Sequence, residues 1–170
     1  MPSPIAFIIP ALNEEAALEP MLDGLRAALD AAACADADIV VVDNCSRDAT
    51  ADVARRHGAR VLSEPRRGYG QACLSGIAAL SRAAEIIVFL DADGSDDPED
   101  LLRLLAPARD GAADLVLGSR IAAAKSSGAF TPQTNRGRVQ NLREPRRDAA
   151  RRVEDLVDYR ETWIVIPSIR

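Results

Sequence analysis

Two carboxylates one residue apart, Asp91-Ala92-Asp93, directly follow the unbroken apolar run Ile86-Ile87-Val88-Phe89-Leu90. Apolar residues in succession, with no polar alternation, are the pattern of a strand buried on both faces. Carboxylate oxygens are hard donors that suit Mg2+ or Mn2+, and one or two of them plus a diphosphate commonly hold such an ion. In an open α/β sheet the C-terminal strand ends are where ligands collect. The same spacing also suits a polar turn, so the remaining loops must decide.

Three further loops concentrate unusual residues. In Pro10-Ala11-Leu12-Asn13-Glu14-Glu15, Pro10 fixes φ and removes a donor as the chain leaves the sheet. Asn13 suits a helix N-cap, and Glu14 and Glu15 favour the positive helix end. The same loop can offer backbone groups and a carboxylate to a nucleotide base or ribose. In Asp43-Asn44-Cys45-Ser46-Arg47-Asp48-Ala49-Thr50, Ser46 or Asp48 is a natural N-cap. Asp43 directly follows a buried run, where its carboxylate can accept from a base N–H of uracil or guanine. The third loop, Glu64-Pro65-Arg66-Arg67-Gly68-Tyr69-Gly70-Gln71-Ala72, lets the backbone approach a ligand at Gly68 and Gly70, with Arg66 or Arg67 near phosphate. Cys73 stands where the dinucleotide fingerprint needs its last glycine, so that signal is weak. Tyr69 reads as a lid residue, and Cys45 and Cys73 as small buried hydrophobes.

Alternating strand and helix signals position these loops. Strands are expected at residues 5–9, 39–42, 60–63, 86–90 and 114–117. Helices are expected at about residues 14–33, 48–57, 70–82 and 98–105, the last opened by Pro98 with Asp96 or Asp97 as its cap. Leu18, Met21, Leu22, Leu25 and Leu29 recur at helical spacing as a core stripe. His57 precedes Gly58, a natural C-cap, and reads as a capping or surface residue. The order argues a mostly parallel α/β sheet with helices on both faces and right-handed crossovers. Beyond residue 120 the alternation stops: an Arg-rich stretch, Arg136–Arg152, suits a polar helix in its second half, and Trp163–Ile166 suits an edge strand closed by Pro167. The expected organisation is a main domain of residues 1–120 and an irregular or partly helical tail of residues 121–170.

Bulk properties narrow the function. The net charge of −5 is uneven, with 11 Lys+Arg against 20 Asp+Glu up to residue 120 and 10 against 6 after it. An acidic main domain disfavours nucleic acid as a partner, while the basic tail suits either solvent or an anionic membrane surface. No apolar run approaches the roughly 18 residues of a membrane span. Three cysteines without metal-ligand spacing argue against a disulfide framework and make a reducing cytoplasm the default.

Together the motifs resemble family 2 glycosyltransferases of the GT-A fold, a Rossmann-like sheet sandwiched by helices. The resemblance rests on Pro10–Glu15, Val41–Thr50, Glu64–Gly76, Asp91-Ala92-Asp93 and Leu117-Gly118-Ser119-Arg120. It is nearest to the dolichyl- and polyprenyl-phosphate sugar synthases, through Gly128-Ala129-Phe130-Thr131-Pro132-Gln133. It implies transfer of a sugar from a UDP- or GDP-sugar to an acceptor such as a polyprenyl phosphate, by metal-assisted inverting displacement, in cell-envelope polysaccharide synthesis. Pro10, Ala11, Asn13, Glu14 and Asp43 match positions that hold base and ribose, and Gly70 and Gln71 join that nucleotide-binding set. Asp91 and Asp93 match the pair that faces ribose and holds Mg2+ or Mn2+, and Arg120 matches a phosphate- or acceptor-facing arginine. A peripheral place at the inner membrane face follows. The motif resemblance stops after about Gln133, so residues 134–170 read as a divergent, truncated or frame-altered acceptor side. Two other readings remain: an inactive nucleotide-sugar-binding remnant, and a haloacid-dehalogenase-type phosphatase with Asp91 as nucleophile and Asp93 as acid/base. The phosphatase needs a strand-end lysine, and the only lysine is Lys125.

Overall fold

Seven strands form one sheet in the computed structural model, which describes residues 5–81, 83–96, 100–113, 115–119, 138–142 and 163–167. In chain order they are β1 (Ile5–Ala11), β2 (Asp38–Asp43), β3 (Arg60–Ser63), β4 (Ile86–Leu90), β5 (Leu115–Ser119), β6 (Arg138–Leu142) and β7 (Trp163–Pro167). Four helices intervene: α1 (Glu15–Ala31), α2 (Thr50–Arg56), α3 (Tyr69–Ala78) and α4 (Asp100–Arg109). The spatial order is β3-β2-β1-β4-β7-β5-β6, and β3, β2, β1 and β4 run parallel. This is the mostly parallel α/β sheet that the strand–helix alternation predicts.

The apolar strands split cleanly between two faces. Phe7, Ile9, Val41, Val88 and Leu90 pack on one side with the α1 stripe Leu18, Met21, Leu22, Leu25 and Leu29, with Val53 of α2 and with Leu101, Leu104 and Leu105 of α4. Ile8, Val40, Val42, Ile87 and Phe89 pack on the other with Ala72 and Cys73 of α3. Each fully buried aliphatic or aromatic side chain here contributes about 1.5–3 kcal/mol relative to an exposed one. Two-sided burial explains why these strands show no polar alternation. Gly76 lets α3 lie close to β1, because a Cβ there would stand 2.5 Å from Ile8 Cγ2.

Two strands beyond residue 120 join the same sheet. The apolar run at Trp163–Pro167 is not an edge strand: β7 lies between β4 and β5, antiparallel to both. Pro167 is tolerated because it falls at the last register position, opposite Ile86, where the ladder ends. The outer position belongs instead to β6, which pairs with β5 alone. This strand falls within the Arg-rich stretch, where charge hides a strand signal but suits the edge position of a sheet. The second half of that stretch, residues 143–152, and the caps expected at residues 97–98 lie outside the described residues.

Candidate functional site

The chain runs outward from β1 to β2 to β3, then returns to place β4 on the opposite side of β1. The strand order therefore reverses between β1 and β4, and the crevice beyond their carboxyl ends is the expected ligand site. The loops after β1, β2, β3 and β4 all open there.

The first two loops are locked together by hydrogen bonds between residues 33 to 36 positions apart. Asn13 N–H donates to Ser46 Oγ at 3.0 Å, and Arg47 N–H donates back to Asn13 Oδ1 at 2.8 Å. Glu14 N–H donates to Thr50 Oγ1 at 2.9 Å, while Ala49 N–H donates to Glu15 Oε2 at 2.7 Å. Thr50, fully buried, passes its own hydroxyl hydrogen to Asp48 Oδ1. Hydrogen bonding from Thr50 holds the Asp48 carboxyl below its ordinary range. Asn13 is thus no helix cap. It adopts a left-handed φ of 59°, and its side chain serves the neighbouring loop while Glu14 occupies the N-cap position of α1. Asparagine tolerates that conformation better than most residues.

A second knot fixes the loop after β3. Asn44, 5 % exposed, donates from Nδ2 to the carbonyls of Glu64 at 2.9 Å and Arg66 at 2.7 Å. Its Oδ1 accepts from Gly68 N–H at 2.8 Å, so one amide clasps both ends of the turn. Gly68 has φ +134°, a left-handed-side conformation that suits glycine. Glu64 is buried and accepts from Arg66 N–H, from the Arg66 guanidinium at 2.9 and 3.0 Å, and from Ser75 Oγ. Those bonds, led by Arg66, hold its carboxyl down at about 2. Arg66 is therefore committed to Glu64 although its side chain is exposed, and Arg67 beside it is exposed as well. Cys45 is half-buried at φ 71°, with Sγ 3.2 Å from Pro65 O, whereas Cys73 is buried as expected.

The predicted site residues divide by position. Pro10 and Ala11 belong to β1, in register with Val42 and Asp43, rather than to the loop beyond it. Ala11 faces the α1 side of the core, so any ligand contact it makes is through its backbone. Asp43 is half-buried, with Oδ1 accepting from Ser46 N–H at 3.0 Å. Gly70 and Gln71 lie half-buried in the first turn of α3. Asp91 is half-buried at the end of β4, and Asp93 is exposed with Oδ1 accepting from the Ser95 N–H at 2.9 Å. Arg120 lies outside the described residues, as does the stretch 128–133. The structure brings Glu14, Asp48, Asp91 and Asp93 together: desolvation first, then the charges of Asp93, Asp48 and Asp91, raise the Glu14 carboxyl above its ordinary value.

That charge density is the test for a cation. Among the described residues no three His, Cys, Asp or Glu side chains form a ready-made metal cage. Two neighbouring carboxylates in an otherwise acidic crevice fit a divalent ion whose remaining ligands come from a diphosphate and water, the usual arrangement for Mg2+. Asp91 and Asp93 are the residues that would hold it.

Sequence reasoning missed Asn44, Thr50 and Glu64 as organisers of this crevice. Only Glu64 carried a signal, a charged residue directly after a strand with an arginine two positions on. His57 matches its expectation: it is the C-cap residue of α2, and its Nδ1 lies 2.8 Å from Asp23 Oδ1.

The family model described as Glycosyl transferase family 2 matches residues 6–167. The chain belongs to this family. The match runs past Gln133, where the motif resemblance stops, and takes in β6 and β7; it replaces the phosphatase reading. An uncharacterized glycosyltransferase of Mycobacterium tuberculosis is 44% identical over 116 residues, 68% of this chain and 48% of that protein. The undecaprenyl-phosphate mannosyltransferase of Micrococcus luteus is 40% identical over 120 residues, 66% of this chain and 46% of its own length. The chain thus spans about half the length of the curated relatives it matches. Among solved structures, the glucosyl-3-phosphoglycerate synthase of M. tuberculosis with Mn2+, UDP-glucose and phosphoglyceric acid aligns with a TM-score of 0.61 and 26% identity, over 96% of this chain and 56% of that one. The GT-A fold expected from the motifs is the fold observed. Among the described residues no helix is long and apolar enough to cross a membrane.

Proposed function

We propose that this chain carries the donor site of a glycosyltransferase that moves a sugar from a UDP- or GDP-sugar to an ionised acceptor, with polyprenyl phosphate as the acceptor class. The observation that carries the reading is the pair Asp91 and Asp93 at the end of β4, beside Glu14, where the strand order reverses. The Mn2+ and UDP-glucose bound by the similar synthase support the donor and metal, and the mannosyltransferase relative supports the lipid-phosphate acceptor.

The acceptor oxygen attacks the anomeric carbon opposite the diphosphate; the new C–O bond forms as the bond to the β-phosphate oxygen breaks, inverting the centre. The leaving nucleoside diphosphate takes the electron pair. A bound divalent ion supplies neutralisation of the charge that develops there. Asp93 and Asp91 would hold that ion, with Asp91 also facing ribose. The backbone at Pro10 and Ala11, with Asp43, would hold the base, and Gly70 and Gln71 the rest of the nucleotide. Asn13 and Glu14 would line the same pocket, with Asn13 held there by the Arg47 N–H on its Oδ1. A lipid phosphate is already ionised near neutral pH and needs no strong general base from the chain. Arg120 would face phosphate or acceptor, with residues 121–170 on the acceptor side, where a charge balance of 10 Lys+Arg against 6 Asp+Glu suits an anionic membrane surface.

Calorimetric titration of UDP and GDP, with and without Mn2+ or Mg2+, tests this on the wild type and Asp93→Ala. One nucleotide should bind in a metal-dependent way, and the variant should lose about 100-fold or more of that affinity. No binding to either nucleotide by the folded protein would sink the donor site. Binding without transfer to a polyprenyl phosphate would favour the inactive remnant.

A further inference from the structure

Tyr69 is an aromatic residue in the first turn of α3, 46 % exposed, yet its hydroxyl is engaged: it donates to Asp91 Oδ1 at 3.1 Å. The two residues come from different strand ends, Asp91 from the end of β4 and Tyr69 from the start of α3, the helix after β3. One turn along α3, Cys73 lies buried beside the phenol, its thiol pushed up to about 12 by burial.

The backbone that carries Tyr69 is itself fixed. Asn44 bonds Gly68 N–H directly before it, and the Glu64–Arg66 pair anchors the start of the same loop. A rigidly held donor imposes one orientation on the carboxylate it bonds. Carboxylates that ligate metals depend on such partners, whose loss typically weakens metal binding by about 10- to 100-fold. The hydroxyl is thus better explained as an orienting group than as a lid that closes over the crevice.

We propose that Tyr69 is a positioning residue that orients Asp91 for cation binding, coupling the loop after β3 to the metal side of the donor site. The proposal rests on the donor-site reading above. Its test is Tyr69→Phe, which removes one oxygen and keeps the ring. Mn2+ affinity is measured by electron paramagnetic resonance in the presence of whichever of UDP or GDP the wild type binds, and nucleotide affinity is measured separately without metal. The expected result is Mn2+ binding weakened about tenfold, with metal-free nucleotide affinity unchanged. In an Asp91→Asn background, Tyr69→Phe should have no further effect on Mn2+. Unchanged Mn2+ affinity in Tyr69→Phe, an equal loss in the Asp91→Asn background, or an equal fall in metal-free nucleotide affinity would each overturn the positioning role. If the wild type binds neither nucleotide with metal, the donor reading fails first and this inference falls with it.

Discussion

The loops after β1 and β2 and the loop after β4 share one crevice and the same residue types, yet use them in opposite ways. Asn13, Glu15, Ser46, Asp48 and Thr50 join groups more than 30 positions apart, so their polar atoms hold the chain together. Among the described residues, Asp93 is bonded by Ser95, two residues on, through its N–H and its hydroxyl. Side chains that tie distant segments together build the site's walls; a carboxylate with only local bonds remains available to chemistry at small structural cost. Acidic and amide residues at a strand end therefore cannot be given roles from their type alone.

The sharpest way to test that contrast is to remove one residue from each side. Asp93→Ala should abolish metal-dependent nucleotide binding while changing unfolding free energy by no more than about 0.5–1 kcal/mol, as expected for an exposed side chain. Asn44→Ala should do the reverse. It strips three hydrogen bonds from a buried turn and strands the carbonyls of Glu64 and Arg66, costing about 2–4 kcal/mol in urea unfolding. Equal stability losses in the two variants would break the comparison.

Thr50→Val is a milder probe of the first knot. It keeps the buried volume but leaves Glu14 N–H without its hydroxyl acceptor and Asp48 without its hydroxyl donor. A loss of about 1–3 kcal/mol is expected, and nucleotide affinity should fall by the same factor with and without metal, since the wall rather than the cation site is disturbed. Calorimetry in both conditions checks this.

Acid should act on the clasp around Glu64. Its carboxyl lies at about 2 in the folded chain, below its ordinary value of 4.5. The unfolded chain therefore binds the proton more readily, and the stabilisation is fully present above about pH 4.5 and lost as pH falls through about 2. Glu64→Gln should flatten the part of the unfolding free energy that falls over this window, seen by comparing urea transitions of the two proteins at several pH values. An unchanged slope would mean the carboxylate is not held by Arg66 and Ser75 in solution.

Much of the core was legible from pattern alone. The stripe Leu18, Met21, Leu22, Leu25 and Leu29 is buried as its spacing predicts, and β3 and β4 have the expected bounds. The strand at Trp163–Pro167 was legible as a strand but not as an interior one, because an apolar run does not say how many neighbours it has. β6 was hidden by Arg138 and the arginines that flank it, and its place beside β5 came only with pairing.

What the sequence by itself determined is the set of local preferences: two-sided apolar runs, one helical stripe, glycines before α3, and carboxylates that end β4. Hydrophobic periodicity and backbone sterics act over a few residues, so they can be read a few residues at a time. What only the tertiary structure decided is which polar side chains bind the protein to itself. Asn13 serves Arg47, Arg66 serves Glu64, Asn44 clasps the turn to Gly68 and Tyr69 reaches Asp91. Those partners are 22 to 34 residues apart in three of the four cases. A hydrogen bond needs donor and acceptor within about 3 Å of each other, and only the folded sheet brings them there.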